Sequence, residues 1–168
     1  RGLPGYFEHM MKATIDMRKI PVRLHEIKEG VMFETERYEV KAFGLFHSVE
    51  SFAFVIQEKE KRKINVEYTK KLGLVQHPLL GELQKGKDIV WEGKKISVGK
   101  GTFVVPGKKY VFIQDTGFNE KLIKIAKDAD LLVCESTFQE SEKEKAKEYK
   151  HLTSVQAASV GKRAKVKN

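Results

Sequence analysis

Two short apolar runs in the last third of the chain, YVFI at 110–113 and LLVC at 131–134, constrain the fold most strongly. Between them, the residues at 119–129 have the apolar spacing of an amphipathic helix. A second helix is predicted over 151–164, with Thr153 or Ser154 as its N-cap. The run at 131–134 is almost wholly apolar, as strands buried in parallel sheets usually are. Strand, helix, strand and helix in this order predict an α/β layered fold with a parallel strand pair.

Three polar residues stand at the ends of predicted apolar segments, and a fourth precedes a predicted helix. His47 follows the strand-like YEVKAFGLF, Asp115 ends the strand that contains YVFI, Glu135 follows DLLVC, and His151 precedes the last helix. Because α/β folds place their sites at strand ends, we expect these side chains to share a site. Each residue alone has a simpler interpretation, since an isolated histidine is more often a structural hydrogen-bonding residue.

Imidazole and carboxylate groups together suit a zinc-type cation. An aspartate can bridge two cations, which would allow a binuclear centre that activates water for attack on a phosphoryl group. Two ligands do not make a site, however, and His9, His25 and His77 do not stand at strand ends. The residues alone therefore leave both a metal site and a set of structural polar side chains open.

Other kinds of chemistry find little support. The segment 99–109 contains glycines and lysines, but it lacks the G-x-x-x-x-G-K-[ST] pattern of a phosphate-binding loop. Ser48 lies beside His47 without the G-x-S-x-G pattern of a nucleophile elbow. Cys134 lies within an apolar run and is predicted to be a core thiol.

The composition bears on partners and compartment. The formal net charge is +9, which makes nucleic acid a plausible partner; a lysine- and glutamate-rich surface without a nucleic-acid partner is the alternative. A single cysteine excludes an intramolecular disulfide and favours a reducing compartment, so we expect a cytoplasmic protein. No apolar run reaches the roughly 18 residues of a membrane span, so no membrane partner is expected.

Residues 57–88 differ from their surroundings. They begin with a run of charges and continue with a mixture of glycine, proline and apolar residues. We interpret them as an insertion between two sheet segments of a single domain that covers 1–168. A β-hairpin with its turn at Glu92-Gly93 is predicted to follow.

Five motifs occur in the order seen in ribonuclease Z: GLPG at 2–5, GLFHSVESFAFVI at 44–56, VFIQDT at 111–116, DLLVCESTF at 130–138 and HLTSVQAA at 151–158. The chain thus resembles these tRNA 3′-end processing endonucleases of the metallo-β-lactamase superfamily. The resemblance implies a metallo-β-lactamase-like αββα sandwich, present here in incomplete form. It further implies a zinc-dependent endoribonuclease that removes the 3′ trailer from precursor tRNA, with two zinc ions per intact subunit, and a homodimer.

Roles follow from the resemblance residue by residue. His47 matches a zinc ligand, and Asp115 matches the aspartate that bridges the two zinc ions. Glu135 matches the glutamate that supports the active-site shell, and His151 matches the histidine that protonates the leaving oxygen. Segment 57–88 takes the place of the protruding arm that grips tRNA. Its substrate-binding residues are expected to be basic: Lys61, Arg62, Lys63, Lys70, Lys71, Lys85 and Lys87.

The chain also departs from the family pattern. Gln114 replaces a glycine, Leu152 replaces a serine, and Cys134 stands where histidine is common. The H-x-H-x-D-H signature, expected just before Gly2, is absent, and so is a ligand histidine expected after Asn168. Gly5 and Tyr6 join segments that family members separate. We therefore expect an incomplete chain that is inactive alone and does not hold two zinc ions tightly.

Two alternatives stay open. One is another hydrolase of the metallo-β-lactamase fold, such as a phosphodiesterase acting on a different ester. The other is a catalytically inactive, basic RNA-binding module that has kept the fold.

Overall fold

The computed structural model describes residues 5–7, 9, 10, 23 and 25–168. The GLPG motif at 2–5 lies outside the described residues except for Gly5. The strands are β1 (Gly30–Glu34), β2 (Tyr38–Gly44), β3 (Phe52–Glu58), β4 (Lys61–Ile64), β5 (Ile89–Trp91), β6 (Lys94–Ile96), β7 (Thr102–Val105), β8 (Lys109–Ile113) and β9 (Leu131–Cys134). The helices are α1 (Val66–Lys71), α2 (Leu79–Gln84), α3 (Val98–Gly101), α4 (Lys121–Ala126), α5 (Lys143–Tyr149) and α6 (Ser154–Arg163).

The main sheet has the strand order β1-β2-β3-β8-β9. Its first four strands pair antiparallel, while β8 and β9 pair parallel across the connection that contains α4. Side chains alternate along β3, so that Ala53 and Val55 are buried on the face that packs against the core. The mixed α/β architecture and the parallel pair are therefore as the sequence predicts.

The principal core lies between the main sheet and the helices α4 and α6. The sheet contributes the side chains of Val55 and Val111 to this core, and α4 contributes Leu122. Val160 comes from α6, and Leu152 comes from the turn just before the cap of that helix. Burying a side chain of this size contributes about 1.5–3 kcal/mol relative to leaving it exposed. The core holds the start of α6 against the carboxyl ends of β8 and β9.

The last helix begins at Ser154 because Thr153 caps it. The Thr153 hydroxyl accepts a hydrogen bond from the Gln156 N–H at 3.2 Å, and Gln156 Oε1 accepts one from the Thr153 N–H at 2.9 Å. This reciprocal capping box satisfies two N–H groups that the helix itself leaves without partners. Of the two predicted caps, the structure therefore selects Thr153.

The interpretation of 131–134 as a strand buried on both faces is wrong. Leu131 is 36% exposed and Val133 is 48% exposed, whereas Leu132 and Cys134 pack against the principal core. The reason is position: β9 lies at an edge of the main sheet, with β8 as its partner on one side.

Residues 61–105 form an insertion between β3 and β8. It begins with β4 and ends with β7, which pair antiparallel, and it has its own small core built on Leu74, Leu83, Ile89 and Ile96. The hairpin β5–β6 turns at Glu92-Gly93, both with positive φ, as the sequence predicts. These bounds differ from the predicted 57–88, because residues 57 and 58 belong to β3 and the chain returns to the body only after β7.

None of the helices in the described part of the chain is both long and apolar enough to cross a membrane.

Candidate metal centre

Three strands of the main sheet end at the same edge. β2 runs antiparallel to β3, and β3 runs antiparallel to β8, so β2, β8 and β9 share one direction. His47 lies just beyond β2, Asp115 just beyond β8, and Glu135 directly after β9. His151 reaches the same edge from the turn between α5 and α6. The topology therefore brings together the four polar residues that the sequence places at the ends of elements.

A possible ligand cluster lies at this edge. His47, Asp115 and His151 each offer one ligand atom, and these three atoms lie within 4.8 Å of one another. The two imidazole rings meet edge to face, with 4.8 Å between their centroids. Two imidazole nitrogens and one carboxylate oxygen form a donor set that suits a zinc-type cation. The residues present thus fit a metal ion of this kind.

His47 is oriented by the backbone. Its Nδ1 lies 3.0 Å from the carbonyl oxygen of Lys150. Because a carbonyl oxygen accepts only, Nδ1 carries the proton and Nε2 keeps its lone pair. Nε2 lies 3.4 Å from the Ser48 hydroxyl and is the atom available to a cation.

His151 is oriented by a carboxylate. Its Nδ1 lies 3.0 Å from Glu135 Oε1, and the Thr137 hydroxyl lies 3.3 Å from the same nitrogen. The side chains of His151 and Glu135 are 19% and 8% exposed, so the pair is largely shielded from water. An ionised Glu135 accepts a hydrogen bond from the Nδ1–H of His151 and leaves Nε2 of His151 for chemistry at the cluster.

Glu135 is stabilised in its ionised form. Burial alone would raise the pKa of this carboxyl, but hydrogen bonds donated by the Thr116 N–H, the Thr137 N–H and hydroxyl, and His151 outweigh it. The net effect is a pKa below the ordinary glutamate value. The carboxylate can therefore orient His151 throughout the neutral pH range.

Thr116 holds the loops of the site together, and this role is not predicted from the sequence. It is fully buried; its N–H donates to Glu135 Oε1 at 3.0 Å, and its hydroxyl accepts from the Phe46 N–H at 3.2 Å. It thus links the loops after β2, β8 and β9. The threonine directly after Asp115 was a usable signal, because a hydroxyl at a strand end often anchors a turn.

The three residues that depart from the family pattern do not disturb the cluster of His47, Asp115 and His151. Gln114 is exposed, Leu152 is fully buried in the core, and the Leu152 N–H donates to Glu135 Oε1 at 3.2 Å. Cys134 packs against the core, and burial, followed by the charge of Glu135, raises the pKa of its thiol to about 12. Such a thiol is a poor nucleophile and a poor ligand at neutral pH.

The basic residues predicted to bind substrate lie on the insertion, away from this cluster in the sequence. Lys63, Lys70 and Lys71 are exposed and make no ion pair with another described residue. Lys85 and Lys87 both pair with Glu82 at 2.9 Å, and Lys61 lies 3.9 Å from Glu58. Arg62 donates to the Thr102 hydroxyl at 3.1 Å. The unpaired lysines are therefore the ones most available to an anionic partner.

Sequence comparison identifies the relatives of this chain. It is 37% identical over 170 residues to ribonuclease Z of Brevibacillus brevis, 31% over 170 residues to that of Bacillus subtilis, and 37% over 174 residues to that of Nitrosopumilus maritimus. These matches cover 98–99% of this chain and 53–57% of the relatives. The chain is homologous to ribonuclease Z. It spans about half the length of the ribonuclease Z sequences it matches, and no protein-family model matches it.

Solved structures agree on the fold. The short form of human tRNase Z matches with a TM-score of 0.50 and 25% identity, over 82% of this chain and 37% of that protein. A metallo-β-lactamase fold protein of Bacillus subtilis matches with a TM-score of 0.50 and 14% identity, over 93% and 46%. The ribonuclease Z homologue described here thus has the metallo-β-lactamase fold, as the sequence resemblance implies.

Proposed function

We propose that this chain is part of a zinc-dependent endoribonuclease, which removes the 3′ trailer from precursor tRNA by phosphodiester hydrolysis. One observation carries the proposal: His47, Asp115, His151 and Glu135 converge at one sheet edge in a homologue of ribonuclease Z. The donor set suits zinc, and the roles implied for these residues require such a convergence.

In this proposal His47 and Asp115 would hold zinc, with Asp115 in the bridging role that the family resemblance implies. Zinc bound there supplies Lewis-acid polarisation of the phosphoryl group and an activated water. Of the three clustered donors, this proposal assigns His47 and Asp115 to zinc and reserves His151 for proton transfer. This chain's own contribution is to hold these donors in place through the Lys150 carbonyl and Thr116.

Glu135 and His151 act on the proton. Glu135 accepts a hydrogen bond from the Nδ1–H of His151 and fixes the ring, which leaves Nε2 for the substrate. A protonated His151 can then give its Nε2 proton to the departing 3′-oxygen of the ribose, while Glu135 balances the positive charge. General acid catalysis of this kind contributes about 10²- to 10⁴-fold to the rate.

The insertion grips the substrate in this proposal. Lys61, Arg62, Lys63, Lys70, Lys71, Lys85 and Lys87 are its proposed phosphate-binding residues. The ion pairs to Glu82 weaken the expected contribution of Lys85 and Lys87 relative to Lys63, Lys70 and Lys71. A homodimer and a cytoplasmic location complete the proposal; the first rests on the family resemblance and the second on the single cysteine.

A chimera tests the proposal. Residues 25–168 would replace the matching half of the Brevibacillus brevis ribonuclease Z, with cleavage of a precursor tRNA as the readout. We expect the chimera to cleave the precursor, Asp115→Ala to reduce cleavage to background, and His151→Ala to slow it about 10²- to 10⁴-fold.

The alternatives predict other outcomes for the same chimera. An inactive RNA-binding module would bind precursor tRNA without cleaving it. A phosphodiesterase for small esters would hydrolyse such a substrate but would not cleave precursor tRNA, whether or not the insertion was present. Folded chimeras whose tRNA cleavage was indifferent to Asp115→Ala would contradict the assignment of the site.

A further inference from the structure

Phe46 and Lys150 immediately precede the two histidines of the candidate metal centre and contact each other. The Lys150 ammonium nitrogen lies 5.0 Å from the centroid of the Phe46 ring. A hydrogen bond of 3.0 Å from His47 Nδ1–H to the Lys150 carbonyl oxygen connects the segment 46–47 to the segment 150–151. An aromatic ring and a cation are thus fixed directly beside the cluster of His47, Asp115 and His151.

Phe46 is held firmly and yet is open to solvent. Its N–H donates to the Thr116 hydroxyl at 3.2 Å, and its carbonyl accepts from the Gly117 N–H at 2.8 Å. Its ring packs on Gly117, where a Cβ atom would lie 3.0 Å from Phe46 Cδ1. The residue is nevertheless 56% exposed. A single exposed apolar side chain is ordinary, but this one has a fixed backbone and a cation beside its ring.

Lys150 occupies a position that normally favours a different residue. It ends α5 with φ of 55°, in the left-handed region, where glycine or asparagine is the usual choice. A lysine there costs backbone free energy that a glycine would not. What the lysine adds is a cation at the Phe46 ring, adjacent to His151.

We infer that Phe46 and Lys150 form a nucleotide subsite of the candidate metal centre. The base of an unpaired nucleotide next to the scissile phosphodiester takes the place of the Lys150 ammonium over the Phe46 ring and stacks there, while the ammonium turns to the adjoining phosphate. An aromatic surface beside a basic group is the general means by which proteins hold single-stranded RNA. This inference rests on the proposed function in one respect, namely that the ligand is RNA.

Binding of short RNA to the chain itself tests the subsite without any cleavage. The probes are a fluorescently labelled oligoadenylate and an abasic ribose-phosphate oligomer of the same length and charge, followed by fluorescence anisotropy. Phe46→Leu keeps the apolar volume but removes the aromatic face. We expect it to weaken oligoadenylate binding by roughly 5- to 150-fold, the equivalent of about 1–3 kcal/mol for one stacked base.

The controls separate stacking from charge. Phe46→Tyr should bind as the wild type does, and Phe33→Leu, at a phenylalanine on β1 that is 54% exposed, should leave both affinities unchanged. Lys150→Met should weaken both oligomers, whereas Lys127→Met, at an exposed lysine beyond α4, should not. Binding of the abasic oligomer should not respond to Phe46→Leu.

Three results would overturn the subsite. They are unchanged oligoadenylate binding by a folded Phe46→Leu variant, an equal loss of both oligomers in that variant, and equal affinity of the wild type for the two oligomers. The last needs no variant and so does not depend on how a substitution folds. A chimera that fails to cleave precursor tRNA, while the chain still discriminates between the oligomers, would refute the proposed function and leave the subsite standing.

Discussion

Glu135 accepts hydrogen bonds from four residues at the carboxyl end of the main sheet. Among the described residues, every buried side-chain nitrogen or oxygen atom has a hydrogen-bond partner. Glu135→Gln places an amide donor among groups that all donate. We expect the free energy of unfolding at pH 7 to fall by about 1–3 kcal/mol, because at least one buried donor loses its partner. Urea denaturation measures the loss, and Glu148→Gln on α5 is the exposed control.

The same variant has a defined pH dependence. The pKa of Glu135 in the folded chain lies below the ordinary value, so ionisation stabilises the fold at neutral pH. That contribution is complete above the ordinary glutamate pKa of about 4.3 and is lost as the pH falls through the folded-state pKa. The difference in stability between the wild type and Glu135→Gln should therefore narrow as the pH falls below about 4.3. A difference that stays constant or widens would contradict the assignment.

Among individual residues, the sequence indicates the polar side chains that meet at the sheet edge but not the residues that position them. His47, Asp115 and Glu135 could be found because each follows an apolar strand, where a polar side chain needs a reason. Phe46 and Lys150 could not be found, because their arrangement depends on a contact between residues more than a hundred positions apart. Single-sequence patterns carry information about neighbours and periodicity, but not about such contacts.

Among the secondary-structure elements, α6 places the site most directly, because its cap follows His151 and Leu152. Thr153→Ala removes the hydroxyl that caps the helix and accepts from Gln156 N–H. We expect a loss of about 0.5–2 kcal/mol in the free energy of unfolding. Chemical denaturation measures it, and Ser154→Ala, at the exposed neighbouring position, is the control. An equal effect of both substitutions would show that the cap contributes nothing specific.

Element boundaries and edges explain the two differences between prediction and structure. The apolar run of β9 predicted burial on both faces, yet composition cannot show which strand lies at the edge of a sheet. Charge and glycine content predict an insertion at 57–88, but β3 includes residues 57 and 58 and the pairing of β4 with β7 gives the insertion the bounds 61–105. Both outcomes depend on which strands pair, and that is a property of the folded chain.

For the molecule as a whole, the proposed function and the net charge of +9 together predict RNA binding that weakens with salt. Lys70→Gln with Lys71→Gln, at the exposed end of α1, should reduce the slope of log affinity against log salt by about 2, since each phosphate contact contributes about 0.9. Filter binding of tRNA over a range of salt concentrations measures the slope. Lys124→Gln with Lys127→Gln, at the end of α4, is the matched control, and an equal change in both variants would argue against the insertion as the tRNA-binding element.

Metal content is also a property of the whole chain. The described residues bring together three candidate ligands, so we expect this chain to bind zinc weakly and not to hold two ions tightly. Isothermal titration and metal analysis after dialysis measure affinity and stoichiometry. Asp115→Asn should weaken binding further, while Asp88→Asn on the insertion should not. Two tightly held ions per chain would contradict this expectation.

The narrow attachment of the insertion has a consequence for how such proteins diversify. Its two ends leave the body side by side, since Lys61 pairs with Val105, and its apolar cluster is separate from the principal core. Evolution, or an engineer, can therefore lengthen, shorten or exchange this module while the sheet edge that carries His47 and Asp115 stays as it is. Changes in the insertion and changes at the sheet edge can thus be inherited as separate traits.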